Sequence, residues 1–166
     1  MEPIAETRYG TVRGSVKGNV LSFKGIPYAA PPFGPNRFRP PRPVKPWSGV
    51  RDTLDYGPDP PQLPPDPGFQ EHQVPGEECL NLNIWTPKQG STRRPVMVWI
   101  PVGMFEIGSG AWYDGSRFAR DGVVCVTLFV PASPRVAEAA ALETARRMGL
   151  REPEVISRRL MHPAEG

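Results

Sequence analysis

Between Pro27 and Pro75 the chain carries fifteen of its 23 prolines. Proline fixes φ and has no amide hydrogen to donate, so neither a helix interior nor a central strand can run through such a stretch. Residues 27–75 are therefore expected to be mostly ordered loop, and a core must be assembled from the segments on either side. The length of 166 residues allows one domain, since domains most often run to about 100–150 residues. A hydrophobic fraction of 39%, before the 17 glycines are counted, is that of a folded chain rather than a disordered one.

Several function classes are excluded early. The longest strongly apolar run, Pro95 to Pro101, is far shorter than the roughly 20 residues that span a bilayer. Met1 to Gly10 lacks the basic-then-apolar pattern of a secretion signal. No membrane association is expected, and the expected compartment is the cytoplasm. Cys79 and Cys125 are too few for a disulfide framework, and with only His72 and His162 beside them no metal-ligand spacing appears. No metal or other cofactor is expected. Charge is uneven: residues 1–50 hold eight Lys/Arg against two acids, whereas residues 51–90 hold two against seven. The basic residues are scattered among prolines without a reading helix or stacking aromatics, so they read as a solvated surface rather than a nucleic-acid site.

Short β-rich pieces at Thr7–Val12 and Val20–Phe23, punctuated by Gly10, Gly14 and Gly18, predict a small antiparallel meander. Three further runs, Leu80–Trp85, Pro95–Ile100 and Val123–Leu128, are apolar, β-branched or aromatic. They read as strands of one mixed sheet covered on both faces, with Val98, Trp99 and Val124 buried. Composition changes at Val130. Beyond it Ser133 can cap a helix that Pro134 begins and Gly149 ends, burying a stripe of Ala137, Ala141, Ala145 and Met148. Pro153 opens a second short helix with Ile156 and Leu160 on one side. The chain thus divides into residues 1–128 and a helical tail, 129–166.

Three segments resemble the type-B carboxylesterases, the family that includes the cholinesterases: Gly25 to Thr53 (GIPYAAPPFGPNRFRPPRPVKPWSGVRDT), Glu77 to Pro87 (EECLNLNIWTP) and Val96 to Gly110 (VMVWIPVGMFEIGSG). Glu78 and Asn81 depart mildly from the second motif. The likeness runs from residue 7 to about residue 128. It implies a partial α/β-hydrolase fold, an N-terminal antiparallel meander leading into a mixed sheet, with small carboxylic esters as the family's substrates. It also implies that the backbone N–H groups of Gly103 and Met104 are oxyanion-hole donors. Such donors are worth about 2.7 to 4 kcal/mol each to a tetrahedral transition state. Val102 replaces a family glycine, and the Met104 side chain stands where the family keeps a small residue, narrowing the acyl pocket.

What the family adds downstream is absent. No G-x-S-x-G nucleophile elbow occurs in the sequence. Ser109 lies in the oxyanion segment with no base near it in sequence and reads as a loop residue rather than a nucleophile. His72 and His162 read as solvated surface side chains. After Val123–Leu128 the family's Asn-Tyr-Arg loop is replaced by FVPASP. Residues 136–165 faintly resemble a helical stretch that follows the nucleophile in family members. The chain thus reads as an esterase-family chain that has lost the elbow segment and is inactive alone, with an unrelated or frameshifted tail as the other reading of its end. A non-catalytic interaction module that associates through an exposed sheet edge, and a small hydrolase using unrecognised residues, are the competing functions. The family's usual partner for Cys79 falls on Pro60, which leaves Cys79 expected free. The loop from Pro61 to Glu78 contains Phe69 but no Trp, so the cation-binding Trp of cholinesterases has no counterpart.

Overall fold

The computed structural model describes residues 2–62, 74–88, 93–101 and 108–128. In chain order the strands are β1 (Ile4–Thr7), β2 (Gly10–Arg13), β3 (Ser15–Lys17), β4 (Val20–Pro27), β5 (Val50–Asp52), β6 (Asn81–Pro87), β7 (Val96–Trp99) and β8 (Val124–Leu128). A single short helix among the described residues, α1 (Ser116–Arg120), precedes β8. Two sheets result: a small one in the order β1-β2-β5 and a larger one in the order β3-β4-β6-β8-β7. In the larger sheet β7 runs parallel to β8, and the other neighbours are antiparallel. The three apolar runs expected to share a mixed sheet do so.

Alternation along β6 and β8 assigns the two faces, because successive side chains in a strand point opposite ways. Leu82 and Ile84 lie opposite Leu128 and Val126, and with Phe23, Ile26, Val124 and Val12 they form one buried cluster. The small sheet contributes Val12 and Ala5 to that face. Trp85 lies opposite Cys125 and forms the other cluster with Val20 and Ala119, the latter carried by α1. Helix and strand approach closely here because residue 115 is glycine. A Cβ at that position would lie 2.7 Å from both the Cys125 sulfur and the Trp85 ring.

Three expectations are modified. The stretch read as one meander forms two successive hairpins that enter different sheets, with residues 8 and 9 turning between β1 and β2. Strand β5 arises inside the proline-rich region, in the proline-free piece from Trp47 to Gly57, and pairs only with β2 among the described strands. Trp99 is 40% exposed, not buried, and Val98 is half-buried, whereas Val124 is buried. The reason is position: β7 lies at the edge among the described strands, and the short α1 covers the sheet near Trp85 rather than at Trp99, which rests against Tyr113 with ring centroids 5.3 Å apart. The proline-rich segment is ordered where described; the Trp47 amide donates to Tyr9 O at 2.9 Å and its indole to Thr11 O at 3.0 Å. The helices expected from Pro134 to Gly149 and after Pro153, like the whole 129–166 unit, lie outside the described residues.

Candidate active site

In a sheet of this kind, chemistry gathers where loops leave the carboxyl ends of parallel strands. Here β7 and β8 are the parallel pair, and Gly110, downstream of β7, lies beside Thr127 near the end of β8. Gly103 and Met104 lie outside the described residues, as do His72 and His162. The described stem that follows Gly103 and Met104 is anchored by two buried polar side chains, one in β6 and one in β8.

Asn83 and Thr127 are both buried and lie opposite each other across β6 and β8. Asn83 Nδ2 donates to Thr127 Oγ1 at 3.0 Å, and Thr127 Oγ1 donates to Gly110 O at 3.1 Å. The second Asn83 atom, Oδ1, accepts the Gly25 amide at 3.0 Å. Gly25 lies at a bulge in β4 with φ 66°, and an added Cβ there would meet Gly57 N at 2.8 Å, so only glycine presents its N–H in this way. One chain of hydrogen bonds thus links β4, β6, β8 and the returning loop.

Ser109 is buried, and its Oγ accepts the Ala111 amide at 2.9 Å, capping the short 3-10 turn Gly110–Trp112. That is a structural role, with no base among its described hydrogen-bond partners. Among the described residues no three His, Cys, Asp or Glu side chains gather where they could hold a metal ion. No described helix is long and apolar enough to cross a membrane. An apolar cavity of about 480 Å³ opens beside Leu21, Phe23, Leu82 and Ile84, on the face opposite Asn83, and is therefore separate from the stem.

Cys79 and Cys125 are free, buried thiols. Pro60 and Cys79 line the same small cavity, so the position where the family's cysteine partner would fall is indeed adjacent. Burial pushes the Cys125 thiol up to about 11, with Asp114 adding to the effect. Burial also raises Cys79 and Tyr28. For these groups the folded state holds its proton longer than the unfolded chain does, so stability is unaffected below about pH 9 and falls as pH rises from there toward 11. The loss from Cys125 alone should approach the order of 2 kcal/mol at the top of that window, at about 1.4 kcal/mol per unit. Urea titrations at pH 8 and pH 10.5 check this, and a midpoint that rises with pH would contradict it.

A family model for the carboxylesterase family matches residues 1–129. A second, for the dimerisation domain of D-ornithine 4,5-aminomutase, matches residues 116–166, overlapping α1 and β8. The chain is 46% identical over 129 residues to the fumonisin B1 esterase of Sphingopyxis macrogoltabida, which covers 75% of this chain and 23% of that enzyme. It is 43% identical over 134 residues to the para-nitrobenzyl esterase of Bacillus subtilis, covering 75% of this chain and 27% of the relative. A solved PNB esterase superposes with a TM-score of 0.78 at 37% identity, over 87% of this chain and 34% of that one. The chain belongs to the carboxylesterase family, and its fold is part of the α/β-hydrolase fold. It spans about a quarter of the length of these curated relatives and about a third of the solved one.

Proposed function

We propose that this chain supplies the oxyanion-stabilising part of a carboxylic ester hydrolase and that its 166 residues alone do not turn over esters. The observation that carries the reading is the Asn83–Thr127–Gly110 anchor. It holds Gly110, downstream of Gly103 and Met104, at the carboxyl end of the parallel pair, which supports the reading because a hydrolase of this fold has one set of oxyanion donors in a loop near there. In ester cleavage a nucleophilic oxygen bonds to the acyl carbon, the carbonyl electrons move onto its oxygen, and collapse of that oxyanion expels the alcohol. Gly103 and Met104 N–H groups would hold the oxyanion. The nucleophile, its base and the third donor, the N–H after the nucleophilic serine, have no counterpart in this sequence. Two buried free thiols support placing the chain in a reducing compartment, the cytoplasm.

A second reading, association through the sheet edge, is favoured by Trp99 in β7 and Ile100 just after it, 40% and 44% exposed. Edge strands with exposed apolar side chains template further pairing.

The test has two arms. The chain alone should show no stoichiometric labelling by a fluorophosphonate and no p-nitrophenyl acetate turnover above a Ser109→Ala control. The control matters because triad-deleted serine hydrolases keep about 10³ to 10⁴ of acceleration over water. Residues 1–128 grafted in place of the matching part of the Bacillus subtilis para-nitrobenzyl esterase should restore both labelling and turnover. A folded, monomeric chimera that labels at its nucleophile yet hydrolyses nothing would sink the oxyanion reading; labelling of one serine in the chain alone would show an independent hydrolase.

A further inference from the structure

The proline-rich loop and the stem after the oxyanion segment are joined by one side chain. Gln62 Nε2 donates to Gly108 O at 3.1 Å, while Gln62 Oε1 accepts the Gly108 amide at 2.8 Å. A primary amide facing a peptide unit in this way reproduces one rung of a β-ladder, satisfying both backbone groups of a single residue. Gly108 adopts φ 153°, a conformation side-chain-bearing residues rarely take. The loop that carries Gln62 is itself closed at its base. Asp59 N donates to Val74 O at 2.9 Å, and Val74 N donates to Asp59 Oδ2 at 3.0 Å. From the other side, Thr127 grips Gly110 O.

We infer that Gln62 is a positioning residue. With Thr127 it holds Gly108–Gly110 from two sides, and it makes the placement of the oxyanion segment depend on the proline-rich loop. The functional part of this inference rests on reading Gly103 and Met104 as oxyanion donors; the hydrogen-bonded clamp does not. A loop closed at residues 59 and 74 and clamped at 62 fixes Gly108, the described residue at which the chain emerges from the segment carrying Gly103 and Met104.

Hydrogen exchange in the full chain tests the clamp without any need for turnover. Gln62→Leu should cut protection of peptides covering Gly108–Ala111 about tenfold, since two net hydrogen bonds of about 0.5 to 1.5 kcal/mol each are lost. Protection of β6 should stay unchanged, which reports that the sheet is intact. Gln62→Asn keeps the amide but shortens its reach, and should give the same local loss if the Leu variant does not fold. Gln62→Glu supplies the distinguishing signature. Its carboxylate can accept the Gly108 amide but repels the Gly108 carbonyl, whereas the protonated acid can serve both. Relative to Gln62→Leu at the same pH, protection should therefore return as pH falls from 7 to 3.5, through the ordinary glutamate range at about 4.3. Unchanged protection in Gln62→Leu and Gln62→Asn would overturn the clamp. A Gln62→Glu variant equally unprotected at both pH values would overturn its two-point geometry. If the clamp stands while the esterase chimera is inactive, the oxyanion reading alone has failed.

Discussion

Replacing Asn83 by leucine should lower the unfolding free energy by about 2 to 4 kcal/mol. The two side chains share the same branched four-atom skeleton, so leucine leaves no cavity and the loss comes from hydrogen bonding. The Gly25 amide and the Thr127 hydroxyl each lose a buried partner, and a buried group left unsatisfied costs about 1 to 3 kcal/mol. Gly25 cannot turn its N–H elsewhere, because the bulge in β4 and the nearby Gly57 backbone fix it. Thr127→Val removes the other half of the link, and because both changes break the same Asn83–Thr127 bond, the double variant should lose less than the sum of the two. Urea midpoints at unchanged m-value measure all three. Strict additivity would mean that the pair is not a network.

The larger effect is expected at Trp85. It is buried between β4, β8 and α1, with the Tyr56 ring centroid 6.5 Å away and the Gly115 backbone closing over its edge. Trp85→Ala should cost about 3 to 5 kcal/mol, the range for removing a buried Trp or Phe side chain. A domain of this size has about 5 to 15 kcal/mol in total, so much of the folded population's margin goes with one side chain. The same variant should leave the Leu82–Ile84 face intact, because that cluster lies across the sheet. Loss of the α1 contacts with retention of sheet circular dichroism is the expected pattern, and a change below about 1 kcal/mol would contradict the assigned packing.

Strands β6, β7 and β8 were legible in the sequence because each is a short β-branched or aromatic run between polar or glycine-containing connections. Which strand would lie at the edge was not. Trp99 and Val98 look as buried as Val124 to any pattern along the chain, and only the order β6-β8-β7 exposes Trp99. Strand β5 escaped notice because a three-residue piece has no periodicity of its own and exists only through pairing with β2. At the site, the signal for Asn83 and Thr127 was present as lone polar residues at Leu82-Asn83-Ile84 and Val126-Thr127-Leu128. Their meaning required knowing that β6 and β8 pair. Gly103 and Met104 rested on family resemblance alone, and nothing along the chain pointed to the bond between Gln62 and Gly108, which lies 46 residues away.

The order in which the chain is synthesised gives the position of β8 a further consequence. Strand β7 is made before β8, yet β8 is its only described strand neighbour and lies between it and β6. While the nascent chain is emerging, β7 therefore lacks its described neighbour, and Asn83 waits for Thr127. The last described strand acts as the keystone: ribosomal release of Val124–Leu128 allows β7 to join the sheet and the returning loop to be tied down in the same event. A nascent chain halted before Val124 would leave β7 without the strand that joins it to β6.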